Sequence, residues 1–155
     1  MKRSSNIGEM MHMADEEEMR RLLVELRILE GTAEALQSRI NLVDAAFTEL
    51  NMAKRTLEGI GKENPDAPVF VPIGGGSYIK AKITDVNKVV YGVGAGIAVE
   101  KSLEDAKEGV EERISQLKKT RNSLEQQLSQ VVRRIQENKN RLQELTSEYR
   151  REERA

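Results

Sequence analysis

The chain has no cysteine and no tryptophan, three prolines, and only 3% aromatic residues among its 155. Without cysteine it forms neither disulfides nor thiolate metal sites, and thiol redox chemistry is excluded. With few aromatics and 33% charged residues, it cannot build the thick core of an ordinary globular domain of this length. A surplus of one charge is also missing. The 25 Lys and Arg face 26 Asp and Glu, interleaved along the chain, so no basic field exists to hold nucleic acid or acidic lipid. No window reaches the roughly 18 apolar residues of a membrane span, and the N-terminus has no signal-peptide run. The expectations are a cytoplasmic chain with no membrane and no nucleic-acid partner.

Catalytic patterns are equally sparse. His12 is the only histidine and has no companion at ligand spacing, which leaves neither a metal set nor a general base. Gly74 to Ser77 lacks the lysine and following helix of a phosphate-binding loop. Gly92, Gly94 and Gly96 do not meet the dinucleotide spacing or its strand-then-helix context. No catalytic residue, metal or cofactor is expected, and no enzymatic activity.

What the chain does contain is two heptad stretches. Leu22, Leu26, Leu29, Ala33, Leu36, Ile40, Val43, Phe47 and Leu50 recur at alternating steps of four and three, and Leu57 resumes the series after Lys54. A second series runs from Leu103 through Val110, Ile114, Leu117, Leu124, Leu128, Val131, Ile135, Leu142 and Leu145 to Tyr149, interrupted by Lys107, Arg121 and Asn138. Apolar repeats of 3.5 residues held this long require a partner helix along their length. Lys107 and Arg121 read as seam positions whose stems pack while their charges reach water. Asn138 reads as a register-setting polar residue.

Helix signals set the boundaries. Residues 1–14 show no sustained period and read as a flexible leader. Asp15 with Glu18 resembles a capping box, opening a first helix over 15–61 that Gly59, Gly61 and Pro65 stop. Ser102 fits an N-cap for a second helix over 102–155.

Between the helices, over 62–101, the period falls to two. Val69, Val71 and Ile73 alternate with Phe70 and Pro72, and Ile79, Ala81 and Ile83 alternate with Tyr78, Lys80 and Lys82. The runs Val89 to Val93 and Ile97 to Val99 follow, and glycines at 74–76 and 94–96 supply turns. This spells two successive β-hairpins. The helices then fold back as an antiparallel pair, with Leu57 near Leu103 and Leu22 near Asn138, so that both chain ends meet at one tip. Hairpins alone are marginal in water and leave unpaired edges. Assembly through Val69, Val71, Ile73, Ile79, Ile83, Val89, Val93, Ile97 and Val99 into an intersubunit β-barrel platform follows as an expectation. The fold class is α+β.

The segment Val71-Pro-Ile-Gly-Gly-Gly-Ser-Tyr-Ile79, then Tyr91-Gly-Val-Gly-Ala-Gly-Ile-Ala-Val-Glu-Lys101 and Ser102-Leu-Glu-Asp-Ala106, resembles the α class of the prefoldin family, in its archaeal type. Two hairpins instead of one point to the α class. The resemblance implies a heterohexamer of two α and four β subunits, a double barrel carrying six coiled coils. It implies a molecular chaperone that holds unfolded proteins at the coiled-coil tips without ATP and delivers them to a group II chaperonin. The leader before Asp15 is longer than the resemblance leads one to expect, and Met13 stands as an alternative initiator to Met1.

Met13, Met19, Leu22, Leu23, Leu142, Leu145 and Tyr149 are the candidate substrate-binding residues at the tip, with Ile7, Met10 and Met11 beyond them. Methionine adapts to many apolar partners. The plainer reading is that the in-seam members only close the coiled coil. A structural alternative for the whole chain is a subunit that polymerises through its β edges into a filament or spacer.

Overall fold

The computed structural model describes residues 2–155. The order of elements is α1 (Lys2–Gly61), β1 (Pro68–Gly74), β2 (Ser77–Lys82), β3 (Lys88–Gly94), β4 (Ile97–Ser102) and α2 (Leu103–Arg154). Two long helices and two antiparallel hairpins make an α+β fold, the class that the switch from heptad to alternating pattern predicts. The chain divides into two compact units: a terminal unit, Met1–Leu42 with Arg121–Ala155, and a hairpin unit, Val43–Thr120.

α1 corrects one expectation. The residues read as a loose leader are helical from Lys2 onward, and Asp15 is an interior, half-buried residue of α1 rather than its cap. The seam positions N-terminal to Met19 are Asp15, His12 and Gly8, so no apolar period marks this stretch. Nothing in it breaks a helix either. It has no proline, and once a turn exists each added residue gains a hydrogen bond at little entropic cost. Glu18, expected to reach back toward a cap, instead binds Arg141 of α2.

The two hairpins share one plan: a seven-residue strand, two turn residues and a six-residue strand. Val71 faces Ile79 in the first and Tyr91 faces Val99 in the second, and each first strand carries a register shift next to its turn. The turn residues Gly75 and Gly76, and Ala95 and Gly96, all have positive φ, the twist that matches two-residue hairpin loops to right-handed strands. Ala95 is the one of the four with a β-carbon, at φ 51°. Beyond the strand ends, Asp66 donates to the Ile83 carbonyl and Ile83 to the Ala67 carbonyl, extending the first ladder.

In the hairpin unit, α2 buries Leu103, Ala106, Val110 and Ile114. The Ser102 hydroxyl accepts from the Asp105 amide at 3.1 Å, capping α2 as its position predicts. Leu103 donates its amide to the Asn87 carbonyl at 2.8 Å and packs beside Gly61, one turn beyond Leu57. Lys107 is half-buried, its ammonium 3.6 Å from a Glu104 carboxylate oxygen.

In the terminal unit, Leu36 and Ile40 of α1 and Leu124 and Leu145 of α2 are buried, and Asn138 is buried among them. The pairing is antiparallel. Glu25 accepts from Arg134, and Glu18 from Arg141, and these pairs bracket the level of Leu22 and Asn138.

Candidate functional site

α1 is apolar on two faces, and α2 on one. The seam face of α1 is covered by α2 within each unit. Opposite that seam in the terminal unit, Val24 and Ile28 stand 60% and 65% exposed, with Leu23 beside them. Toward the chain start, Ile7, Met10, Met11 and Met13 are exposed as well. The only large apolar residue of α2 similarly exposed, among the described residues, is Val132. Two shallow grooves of about 530 and 600 Å³ border this side of α1. Arg20, Leu23, Val24 and Arg27 line the first, and Ile28, Gly31, Ala35 and Gln130 contribute to the second. Exposed apolar side chains beside a mixed-charge rim can hold an apolar segment without demanding one sequence.

The candidate tip residues fall into three groups. Met13 and Leu23 are exposed; Met19, Leu22, Leu142 and Tyr149 are half-buried; Leu145 is 1% exposed and closed into the seam. Tyr149 stacks on His12, ring centres 4.2 Å apart, while His12 Nδ1 lies 3.0 Å from a Glu152 carboxylate oxygen. Val24 and Ile28 are absent from the sequence-based candidates. Their signal was present, as apolar residues four apart off the heptad seam, but a seam that accounts for ten other positions draws attention from them.

Charge pairs close the terminal unit around these residues. Arg141 donates to both oxygens of Glu18, at 3.0 and 3.2 Å, and Arg134 Nη2 approaches Glu25 at 2.7 Å. The Arg141 guanidinium holds the Glu18 carboxyl below its ordinary value of 4.5, and Arg134 does the same for Glu25. Asn138 also favours the charged form of Glu25, yet its Nδ2 lies outside hydrogen-bonding geometry with any partner.

The second candidate surface is the pair of hairpins. Val71, Ile73, Ile79, Val93, Ile97 and Val99 are exposed; Val69, Ile83 and Val89 are half-buried. Phe70, Tyr78 and Val90 are exposed too, Phe70 and Tyr78 in an edge contact with ring centres 6.5 Å apart. The first hairpin thus shows apolar side chains on both faces. No two-stranded sheet is stable that way in water without a cover. Among the described residues there is no cluster of three or more metal-ligating side chains, and no helix is long and apolar enough to cross a membrane.

Two hairpins between paired helices, with apolar strands awaiting cover, are found together with a direct sequence match: a family model for prefoldin subunits covers residues 29–148. The chain belongs to the prefoldin family. Curated relatives include prefoldin α subunits. That of Methanopyrus kandleri is 33% identical over 73% of this chain and 72% of its own. That of Pyrococcus horikoshii is 34% identical over 77% and 86%, and that of Methanococcoides burtonii 32% over 81% and 91%. Among solved structures, a filamentous PFD from Methanocaldococcus jannaschii superposes with a TM-score of 0.65 at 27% identity, covering 73% of this chain and 93% of that one. Prefoldin membership supports a chaperone-type function within an oligomeric prefoldin complex. Val24 and Ile28 precede the segment that the prefoldin family model matches.

Proposed function

We propose that this chain is the α-class subunit of a prefoldin heterohexamer, joined through its hairpins to β-class subunits, that holds unfolded polypeptide without ATP and passes it to a group II chaperonin. The observation that carries the holding role is the exposed apolar side of α1 from Ile7 to Ile28. A helix that ends its design at pairing needs only one apolar face. A second face at that level, flanked by grooves and populated by methionines, fits weak contact with many sequences, and several such arms in one assembly retain a client by multivalency. Nothing in the mechanism calls for a nucleotide. Binding and release follow from how much apolar surface a client still exposes.

The test is suppression of aggregation when a chemically unfolded client is diluted into the assembled protein, with and without ATP. The reading expects suppression independent of ATP, and its loss when Met13, Val24 and Ile28 are replaced together by glutamine. Equal suppression by that variant sinks the assignment to α1.

A second reading has one specific observation in its favour, the likeness to a filamentous PFD: the chain polymerises through its own hairpins. A closed heterohexamer and an open polymer differ grossly in mass, so light scattering of the chain alone and mixed with a β-class prefoldin subunit separates them.

A further inference from the structure

The second hairpin is fastened to α2 by contacts that, among the described residues, the first lacks. Arg113 of α2 donates from Nη2 to the Gly92 carbonyl at 2.6 Å, and its guanidinium lies 4.5 Å from the centre of the Tyr91 ring. The Lys101 ammonium approaches the same ring at 4.7 Å. At its far end Tyr91 meets Gly109. A β-carbon at that glycine would stand 2.7 Å from the Tyr91 hydroxyl oxygen and 3.0 Å from Cζ, closer than atoms pack. By contrast, among the described residues no hydrogen bond, ion pair or ring contact joins β1 or β2 to either helix.

Gly109 is the telling residue. It lies inside a 52-residue helix, where glycine is less favourable than alanine because its backbone loses more freedom. Its φ is not positive and it ends nothing, so neither a turn nor a cap explains it. What it provides is room for Tyr91. The ring in turn is held by two cations, and the strand behind it by the bond from Arg113 to the residue that follows it.

We propose that Tyr91, seated on Gly109 and clamped by Arg113, is the positioning residue that presets the angle of β3–β4 for pairing with a neighbouring subunit. The inference rests on the reading that the chain assembles through its hairpins. A strand pair already held in its docking orientation loses less freedom on association than one that must be ordered at the same moment. The second hairpin docks preset, and the first adapts its two apolar faces as the assembly closes.

The discriminating variant is Gly109→Ala in the full chain. If Gly109 had no role but to occupy a helix, alanine would leave assembly unchanged and hold or raise the thermal midpoint. If it seats Tyr91, the midpoint is held or raised while the concentration for half-assembly with a β-class prefoldin subunit rises about tenfold, the scale of one or two such contacts. Amide exchange over 88–102 then quickens, with 68–82 unchanged. Arg113→Gln, which removes the bond to the Gly92 carbonyl and one of the two cations at the Tyr91 ring while leaving Gly109 intact, weakens assembly and quickens exchange over 88–102 in the same way. Assembly matching wild type in both variants overturns the clamp alone. A wild-type chain that stays monomeric in the mixture overturns the assembly reading and this inference with it.

Discussion

Asn138 sits in the apolar seam of the terminal unit at 7% exposure with its Nδ2 unpartnered. An unmet buried donor costs stability, and a seam asparagine returns that cost as register. Asn138→Leu should therefore raise the unfolding free energy by about 1–3 kcal/mol, read as a later urea midpoint; an earlier midpoint would show that the amide is satisfied. Ala95 also costs stability where it stands. Its β-carbon is held at positive φ where the first hairpin has Gly75, a conformation that costs an L-residue about 1–2 kcal/mol. Ala95→Gly is expected to delay unfolding by about 1 kcal/mol after glycine's own entropy is set against the gain. The seam place of Asn138 is legible in the 3.5-residue repeat. The seat of Tyr91 on Gly109 is not, because a period of two says which side of a strand a residue takes but not what lies beneath it.

At the scale of the elements, the pairing of α1 with α2 in the terminal unit has a pH signature. Arg141 and Arg134 lower the folded-state pKa of Glu18 and Glu25 below 4.5. Groups shifted downward add stability that is present above the unfolded value and lost as pH falls through the folded ones. Thermal unfolding should accordingly hold level from pH 7 to about 5 and decline below about 4.5, and Arg141→Gln should flatten that decline. A decline equally steep in the variant would remove the pair from the account. The hairpins were readable almost residue by residue, since glycine triplets and strict alternation report local chemistry directly. The first turns of α1 were not. Ser5, Gly8, His12 and Asp15 occupy their seam positions, so helix continues there through backbone propagation and contacts such as His12 on Tyr149, neither of which leaves a hydrophobic period to find.

For the whole molecule, the hairpins and the outward face of α1 pose one problem in two places: apolar surface that this chain does not cover by itself. On the strands the proposed cover is another subunit, in line with the oligomeric nature of the prefoldin family. On α1 the exposed large apolar residues form short patches at Ile7 to Met13 and Leu23 to Ile28, interrupted by Glu16, Glu17, Arg20 and Arg21, with Leu42 and Met52 standing singly farther along the helix. Such patches are too brief for a further coiled-coil partner, which needs three or four continuous heptads, and suit the short apolar stretches of an unfolded chain. The most direct measurement is site-specific photo-crosslinking of the assembled protein to a chemically unfolded client, with the reactive group placed in turn at Val24 and Ile28 of α1 and at Gln136 of α2. Adducts are expected from both α1 positions, vanishing when the client is native, and none from Gln136. Adducts from Gln136 alone, or none from either α1 position while aggregation is still suppressed, would contradict the holding role of α1.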